Sequence, residues 1–261
     1  MRVLITGGSN GIGKECCNLL SRVAKKITII DVLKPEMAMT NWIKADFTDL
    51  NSLGELEHKL DGPYDVLINS AGLPPRESKE LDILTVNFIA LRRISEIIIP
   101  KLNPGSSIVN LASKAGSNWQ ANISQVKRFL QITDTQDLIS FCKSENLDHI
   151  RAYDLSKEAV IAWTMASCEE LKKREVRINS VSPAAIETRI LDDFISAFGE
   201  RASQMINRIG RPGTPREVAE VILFLIGKKS EWITGVDLPV DGGTSAVVYC
   251  NQYELKQFGY H

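Results

Sequence analysis

The sequence holds little from which to build a metal centre, a disulfide framework or a membrane anchor. Its five cysteines are an odd set with no Cys-x-x-Cys spacing, so neither paired disulfides nor the common zinc signatures are expected. Cys16 and Cys17 fall in an amphipathic stretch, where small core side chains are the expectation. Three scattered histidines, His58, His149 and His261, leave no material for a metal site or a Ser-His-Asp triad. No apolar run approaches the roughly 20 residues that span a bilayer; "EIIIP" is far too short. The opening "MRVLITGG" lacks a basic segment followed by a cleavable apolar core, so no signal peptide is expected and a cytoplasmic location is. Charge of one sign is missing as well. With 31 basic and 32 acidic residues the formal net charge is −1, which gives no footprint for nucleic acid or an anionic membrane. Linkers and repeats are absent, so residues 1–261 are expected to form a single domain.

What is present is a regular alternation. At 261 residues and 44% hydrophobic content the chain can bury a large core. "RVLIT" (2–6), "KITIID" (26–31), "NWIKAD" (41–46), "DVLINSAG" (65–72), "SSIVNLAS" (106–113), "VRINSVSP" (176–183) and "GVDLPVDGG" (235–243) are strand-like. Between most of them lie stretches of helical period, at 11–23, 79–101, 154–174 and 215–227. Apolar strands separated by helices imply a mostly parallel sheet covered on both faces, an α/β doubly wound (Rossmann) sheet. Too few residues separate "IID" from the next strand for a full crossover helix, so one helix is expected to be missing there.

The first strand-to-helix turn reads "TGGSNGIG" (6–13). Gly7 allows a tight turn, Gly11 a close approach of backbone to a pyrophosphate, and Gly13 close packing of helix on strand. The helix start, with its dipole behind it, suits a diphosphate. Asp31 ends the second strand at a spacing that puts a carboxylate against the adenosine ribose, where it favours NAD and repels the extra phosphate of NADP. Neither Ser9 nor Asn10 offers a compensating cation, although Lys34 lies near.

A second short stretch, "AYDLSK" (152–157), sets Tyr153 four residues before Lys157 on one helix face. Alone it is weak: a Tyr-x-x-x-Lys arises by chance about once in three such sequences. Its companions decide. Thr6 to Gly13, Asp46, "NSAG" (69–72), "VNFIA" (86–90), "IVNLASKAG" (108–116), "YDLSK", "NSVSPAAIET" (179–188), "RIGRPGTPREVA" and "VDGG" follow one another in the order found in the short-chain dehydrogenase/reductase family, which the chain resembles nearly end to end. The resemblance implies an NAD-dependent oxidoreductase acting on CH–OH groups, with Asn87, Ser113, Tyr153 and Lys157 as the catalytic set. It implies cofactor contacts from Gly7, Ser9, Asn10, Gly11, Ile12, Gly13, Asp31, Asp46, Phe47, Asn69, Ala71, Gly72, Tyr153, Lys157, Pro183, Ile186 and Thr188. No metal is implied, and the family's habit points to a homodimer or homotetramer. Ala184 stands where the family has glycine, a strain if that position needs a positive φ.

The chemistry explains the residue types. Hydride transfer at an alcohol carbon requires its oxygen to lose a proton, and a tyrosine brought from a pKa near 10 to about 7 would need roughly 4 kcal/mol. An ammonium about 5 Å away supplies about 3 kcal/mol at an effective dielectric of 20. A positive nicotinamide would add the rest. Lys157 is also expected to bond the nicotinamide ribose, Ser113 to hold the substrate oxygen, and Asn87 to hold a water linking Lys157 to solvent.

Forty positions separate Ser113 from Tyr153, where the family spends about a dozen. "ISQVKRFLQI" and "TQDLISFCKSEN" within it have helical period, the second with Asp or Thr as a cap. Residues 117–151 are therefore read as a helical insertion bordering the active site or a subunit interface. This insertion, the shortened crossover and the tail after "VDGG" resemble bacterial 3α-hydroxysteroid dehydrogenase/carbonyl reductase. Ile190 and Phe194, from a helical segment suited to a lid, and Trp119 are expected to join Ser113 and Tyr153 around the substrate. A steroid or other mid-sized cyclic alcohol fits best; a sugar or polyol, or an NAD(H)-sensing regulator on the same fold, are the alternatives.

Overall fold

The computed structural model describes residues 1–37 and 40–259; His261 lies outside them. The first half runs β1 (Arg2–Thr6), α1 (Gly11–Leu20), β2 (Lys26–Asp31), β3 (Thr40–Lys44), α2 (Leu50–Gly54), α3 (Leu56–Lys59), β4 (Tyr64–Asn69), α4 (Glu80–Leu84), α5 (Leu91–Ile98) and β5 (Leu102–Leu111). It continues through α6 (Ile123–Leu130), α7 (Thr135–Ser144), α8 (His149–Lys172), β6 (Arg177–Pro183), α9 (Leu191–Phe198), α10 (Glu200–Ile209), α11 (Pro215–Ile226), β7 (Asp237–Val240) and α12 (Thr244–Gln252). The seven strands form one parallel sheet in the order β3-β2-β1-β4-β5-β6-β7. Among the described residues no helix stands between β2 and β3, as the short spacing predicts. The strand order reverses between β1 and β4, and the crevice above that point is where such sheets bind ligands.

Both faces of the sheet are buried, which is why its strands read as continuous apolar runs. One core gathers Leu4, Leu67 and Ile108 under α4, α5 and α8; the other gathers Ile5, Ile29 and Ile68 under α1 and α11. A buried chain of polar side chains ties α8 to the sheet. Asn69 donates to Ser95 Oγ and Asn110 Oδ1, both at 2.9 Å, and Asn110 donates to Thr164 Oγ1 at 2.9 Å. The side-chain amide donors there are satisfied, which limits the cost of burial, although Asn69 Oδ1 is buried without a hydrogen-bond partner among the described residues.

Residues 117–151 contain α6 and α7, with Asp134 capping α7 by accepting from the Asp137 amide. The helix that carries Tyr153 and Lys157 begins inside this range, because the Asp148 carboxylate accepts from the Arg151 amide at 2.7 Å and starts α8 at His149. The insertion lies on the outer faces of α5 and α8. Phe129 packs on Phe88, ring centroids 5.2 Å apart. The Arg92 guanidinium, over the Phe88 ring, donates to the carbonyls of Leu130 and Ile132 at the end of α6.

Candidate active site

A cavity of about 1230 Å³ runs across the carboxyl ends of the strands, larger than the roughly 300–1,000 Å³ that holds one drug-sized molecule. At one end lies the glycine turn. A side chain at Gly13 would come within 2.2 Å of the Gly7 carbonyl oxygen, and one at Gly7 within 2.7 Å of Ala71. Only hydrogen fits at either place, so the turn can sit tight against α1 and the loop after β4. Gly11 is open, its nearest neighbour being the Thr188 methyl at 3.5 Å from where a Cβ would stand. Asp31 closes this end. Its carboxylate accepts from the amides of Ser9 and Leu33, both at 3.0 Å, which fixes it facing the cavity. Lys34 is not among the lining residues, and Lys14 is paired with Glu36 at 2.6 Å.

The other end carries Ser113, Tyr153 and Lys157. Ser113 caps a 3₁₀ turn (Lys114–Asn118) at the end of β5 and accepts from the Ala115 amide at 3.2 Å. Its hydroxyl lies near the Tyr153 phenol and favours the ionised form of that phenol. Lys157 lies one turn further along α8, its ammonium donating to the Leu111 carbonyl at 3.0 Å and standing 5.8 Å from the Tyr153 ring centroid. Tyr153 and Lys157 are buried, and burial governs both. It pushes the phenol above its ordinary value, with the nearby Ser113 hydroxyl opposing, and pulls the lysine down to about 8. Burial thus works against the charged form of each group, a cost that the sequence-based sum for Lys157 and a positive nicotinamide did not include.

Asn87 sits beneath, in a π-helical turn (Thr85–Ala90), a distortion that recurs at functional sites. Its amide bonds both backbone groups of Leu73 and donates to Ser156 Oγ at 3.1 Å. A side chain at Gly72 would lie 3.2 Å from Asn87 Oδ1 and 3.6 Å from Lys157 Nζ, so this glycine keeps the two side chains in the same small space.

The cavity brings together Gly7, Asn10, Gly11, Ile12, Asp31, Asp46, Phe47, Ala71, Gly72, Ser113, Tyr153, Lys157, Pro183, Ile186, Thr188, Ile190 and Phe194. Ser9, Gly13, Asn69 and Asn87 support it from behind, Asn69 being sealed in the polar chain beneath the sheet's end. Trp119 does not line it. The 3₁₀ turn presents Ser117 and Asn118 to the cavity and sends Trp119 against the main core. Ala184 is unstrained: among described residues the non-glycine positive φ angles belong to Ser78, Asn146, Glu175 and Glu254. The segment 185–187 is pinned instead by Gly213, which donates to the Ala185 carbonyl and accepts from the Glu187 amide at 2.9 and 2.8 Å. That pairing gives the "RPGTP" stretch its place in the site.

The wall of the cavity beside Tyr153 was partly legible in the sequence. Phe194 and Phe198, one turn apart on α9, stack with centroids 6.4 Å apart and meet the Tyr153 ring edge-on at 5.3 and 6.5 Å. Arg76, from the loop after β4, clasps Asp193 of α9 through two bonds of 3.0 and 2.8 Å. Gly199 separates α9 from α10 at φ 60° and ψ −147°. Met205, Ile206 and Ile209 of α10 and Val248 of α12 complete an apolar wall that sequence reasoning missed. Met205, Ile206 and Val248 arrive from segments with no motif, and Ile209 from the edge of "RIGRPGTPREVA".

A glycine turn at the switch point of a parallel sheet, with a carboxylate at one end of the crevice and a Ser-Tyr-Lys cluster at the other, defines a dinucleotide-binding α/β protein of the Rossmann type. Residues 1–125 match the family described as short chain dehydrogenase, and residues 137–245 the one described as enoyl-(acyl carrier protein) reductase. The chain belongs to the short-chain dehydrogenase/reductase family. It is 29% identical over 247 residues to a coniferyl-alcohol dehydrogenase of Pseudomonas sp. strain HR199, covering 94% of this chain and 96% of that one. The crystal structure of 3α-hydroxysteroid dehydrogenase from Pseudomonas sp. B-0831, complexed with NADH, superposes with a TM-score of 0.79 at 27% identity, over 95% of this chain and 98% of that one. Aldohexose dehydrogenase from Thermoplasma acidophilum, in ligand-free form, gives 0.72 at 26% identity, covering 94% of each chain. Among the described residues no helix is long and apolar enough to cross a membrane.

Proposed function

We propose that the protein is an NAD-dependent dehydrogenase/reductase that interconverts an alcohol and a carbonyl on a mid-sized, largely apolar ring compound. The carrying observation is that Ser113, Tyr153 and Lys157, its ammonium 5.8 Å from the Tyr153 ring centroid, line the same cavity as the glycine turn and Asp31. The glycine turn, Asp31 and the 183–188 segment would hold the dinucleotide, whose nicotinamide supplies the hydride acceptor or donor. The chain's own residues manage the oxygen. Ser113 donates to it and orients it, and Tyr153 takes or gives its proton. Lys157 provides the nearby positive charge, and Asn87 shapes the space behind it. The apolar wall of Phe194, Phe198 and Met205 favours a ring system over a sugar. The neighbouring steroid and coniferyl-alcohol dehydrogenases support a substrate of that size.

The direct test follows absorbance of NADH with either cofactor over steroid, aryl, sugar and small cyclic alcohols. Turnover with ring alcohols is expected; NADH binding without turnover on any of them would favour a sensor on the same fold. Asp31→Ala is expected to raise the NADP-to-NAD ratio of kcat/KM at least about tenfold, because a like charge no longer faces the extra phosphate. An unchanged ratio would move cofactor choice to other residues, Arg189 first.

The protein is also proposed to self-associate through β7 and α11. The insertion covers the outer faces of α5 and α8, whereas β7 is an edge strand flanked by Phe224, 43% exposed, and Trp232, 94% exposed. Light scattering is expected to give a dimer that Phe224→Asp with Trp232→Asp turns into a monomer; a dimer that persists would place the interface elsewhere.

A further inference from the structure

The insertion does more than cover a helix face. Its polar side chains converge on Glu158, the residue after Lys157, which is 1% exposed. Arg151, two turns earlier on α8, donates both Nη groups to the two carboxylate oxygens, and Asn122 donates to Oε1 at 2.6 Å. Outward from there, Arg151 Nε donates to Gln125 at 2.8 Å, Gln125 donates to Glu145 at 2.9 Å, and Arg128 clasps Glu145.

Asn122 is the significant member. It lies four residues beyond the 3₁₀ turn that starts at Ser113. That turn also packs on α8 at Gly116, where a side chain would stand 2.7 Å from the Lys157 carbonyl carbon. The serine segment is thus pressed onto the Lys157 peptide at Gly116 and tied to the next residue, Glu158, through Asn122. Ser113 comes from the sheet and Tyr153 from the helix, so their mutual geometry depends on how this segment rides on α8. A buried ion pair is a poor source of stability because desolvation offsets its attraction. Its worth here lies in fixing one register.

From this we infer that Glu158 and Asn122 are positioning residues that align Ser113 with Tyr153 and Lys157, so the insertion is part of what sets the active-site geometry. The inference rests on the proposed oxidoreductase chemistry for its kinetic test and not for its structural one. Asn122→Ala cuts the serine segment's tie and spares the Arg151 pair. Glu158→Gln keeps the shape and weakens both. Arg128→Ala cuts only the outer end.

With an alcohol that the wild type turns over, Asn122→Ala and Glu158→Gln are expected to lower kcat about 10- to 100-fold, the scale of a small misplacement of reacting groups. KM and NADH affinity should stay within about twofold, and Asn122→Gln, which keeps an amide donor for Glu158, should recover part of the loss. Arg128→Ala should keep wild-type kcat. Hydrogen exchange, which needs no substrate, should show the Ala115 and Gly116 amides losing protection about tenfold in Asn122→Ala. Wild-type kcat in both inner variants, or a loss matched by the fraction of unfolded protein, overturns the inference. So does unchanged protection of those amides, whether or not a substrate has been found. Inactivity of the wild type itself speaks against the proposed reaction alone.

Discussion

Tyr153→Phe is expected to lower kcat by about 10²–10⁴-fold, the usual worth of a positioned acid/base, while NADH binds within a few-fold of wild type. Deleting one oxygen removes the proton carrier and leaves the ring in its contacts with Phe194 and Phe198. The loss corresponds to about 3–5 kcal/mol in transition-state stabilisation. Burial also sets the direction of the pH dependence. With the phenol held above its ordinary value, alcohol oxidation, which needs the deprotonated form, should climb as pH rises. Carbonyl reduction, which needs the protonated form, should hold at low pH. Steady-state rates in both directions, with NADH binding by fluorescence, check this. Comparable turnover in the phenylalanine variant would remove Tyr153 from the chemistry.

Lys157→Met should abolish most activity and yet raise stability near neutral pH. Burial disfavours the charge of this lysine and holds it in the folded protein at a pKa of about 8 against an ordinary value of 10.5. Below pH 8 the folded state carries the charged side chain at a cost approaching about 3 kcal/mol, at 1.36 kcal/mol per pKa unit. Between pH 8 and 10.5 the unfolded chain binds more protons than the folded one, so stability rises with pH and the cost disappears. Methionine fills similar space without charge, although the bond to the Leu111 carbonyl is lost. A gain of about 1–3 kcal/mol, or roughly 2–10 °C in Tm, is expected at pH 7 and should fade by pH 10. Melting curves at both values test it. A variant that melts lower at pH 7 would show that the Leu111 bond outweighs desolvation. Stability spent in this way at a reactive site is a common trade.

The strands, their parallel arrangement, the glycine turn and the Ser-Tyr-Lys cluster were legible because each leaves a local trace. An apolar run flanked by glycine or a carboxylate marks a strand end at the ligand crevice, and an i, i+4 pair marks one helix face. Trp119 and Asn69 show where this stops. Both lie within a few residues of the cavity, yet each side chain points into packing, a direction set by the 3₁₀ turn in one case and the strand pleat in the other. The apolar wall from α10 and α12 was illegible for another reason. Its members meet only in three dimensions, and no spacing along the chain links Met205 to Val248. The burial that raises the Tyr153 phenol was illegible, because attraction between two charges can be guessed from sequence, whereas the depth at which they are buried cannot.

Gly199 makes a demand on the junction of α9 and α10 that is one of handedness rather than space. No heavy atom lies within 4 Å of where its Cβ would be, so a methyl group has ample room, but φ 60° with ψ −147° is a conformation L-residues almost never adopt. Its mirror image is close to the polyproline II conformation, among the most comfortable for an L-residue. A D-alanine installed there by chemical ligation would therefore rest in its preferred basin and stiffen the junction of α9 and α10, whereas the L-enantiomer, identical in size and polarity, would force that junction open.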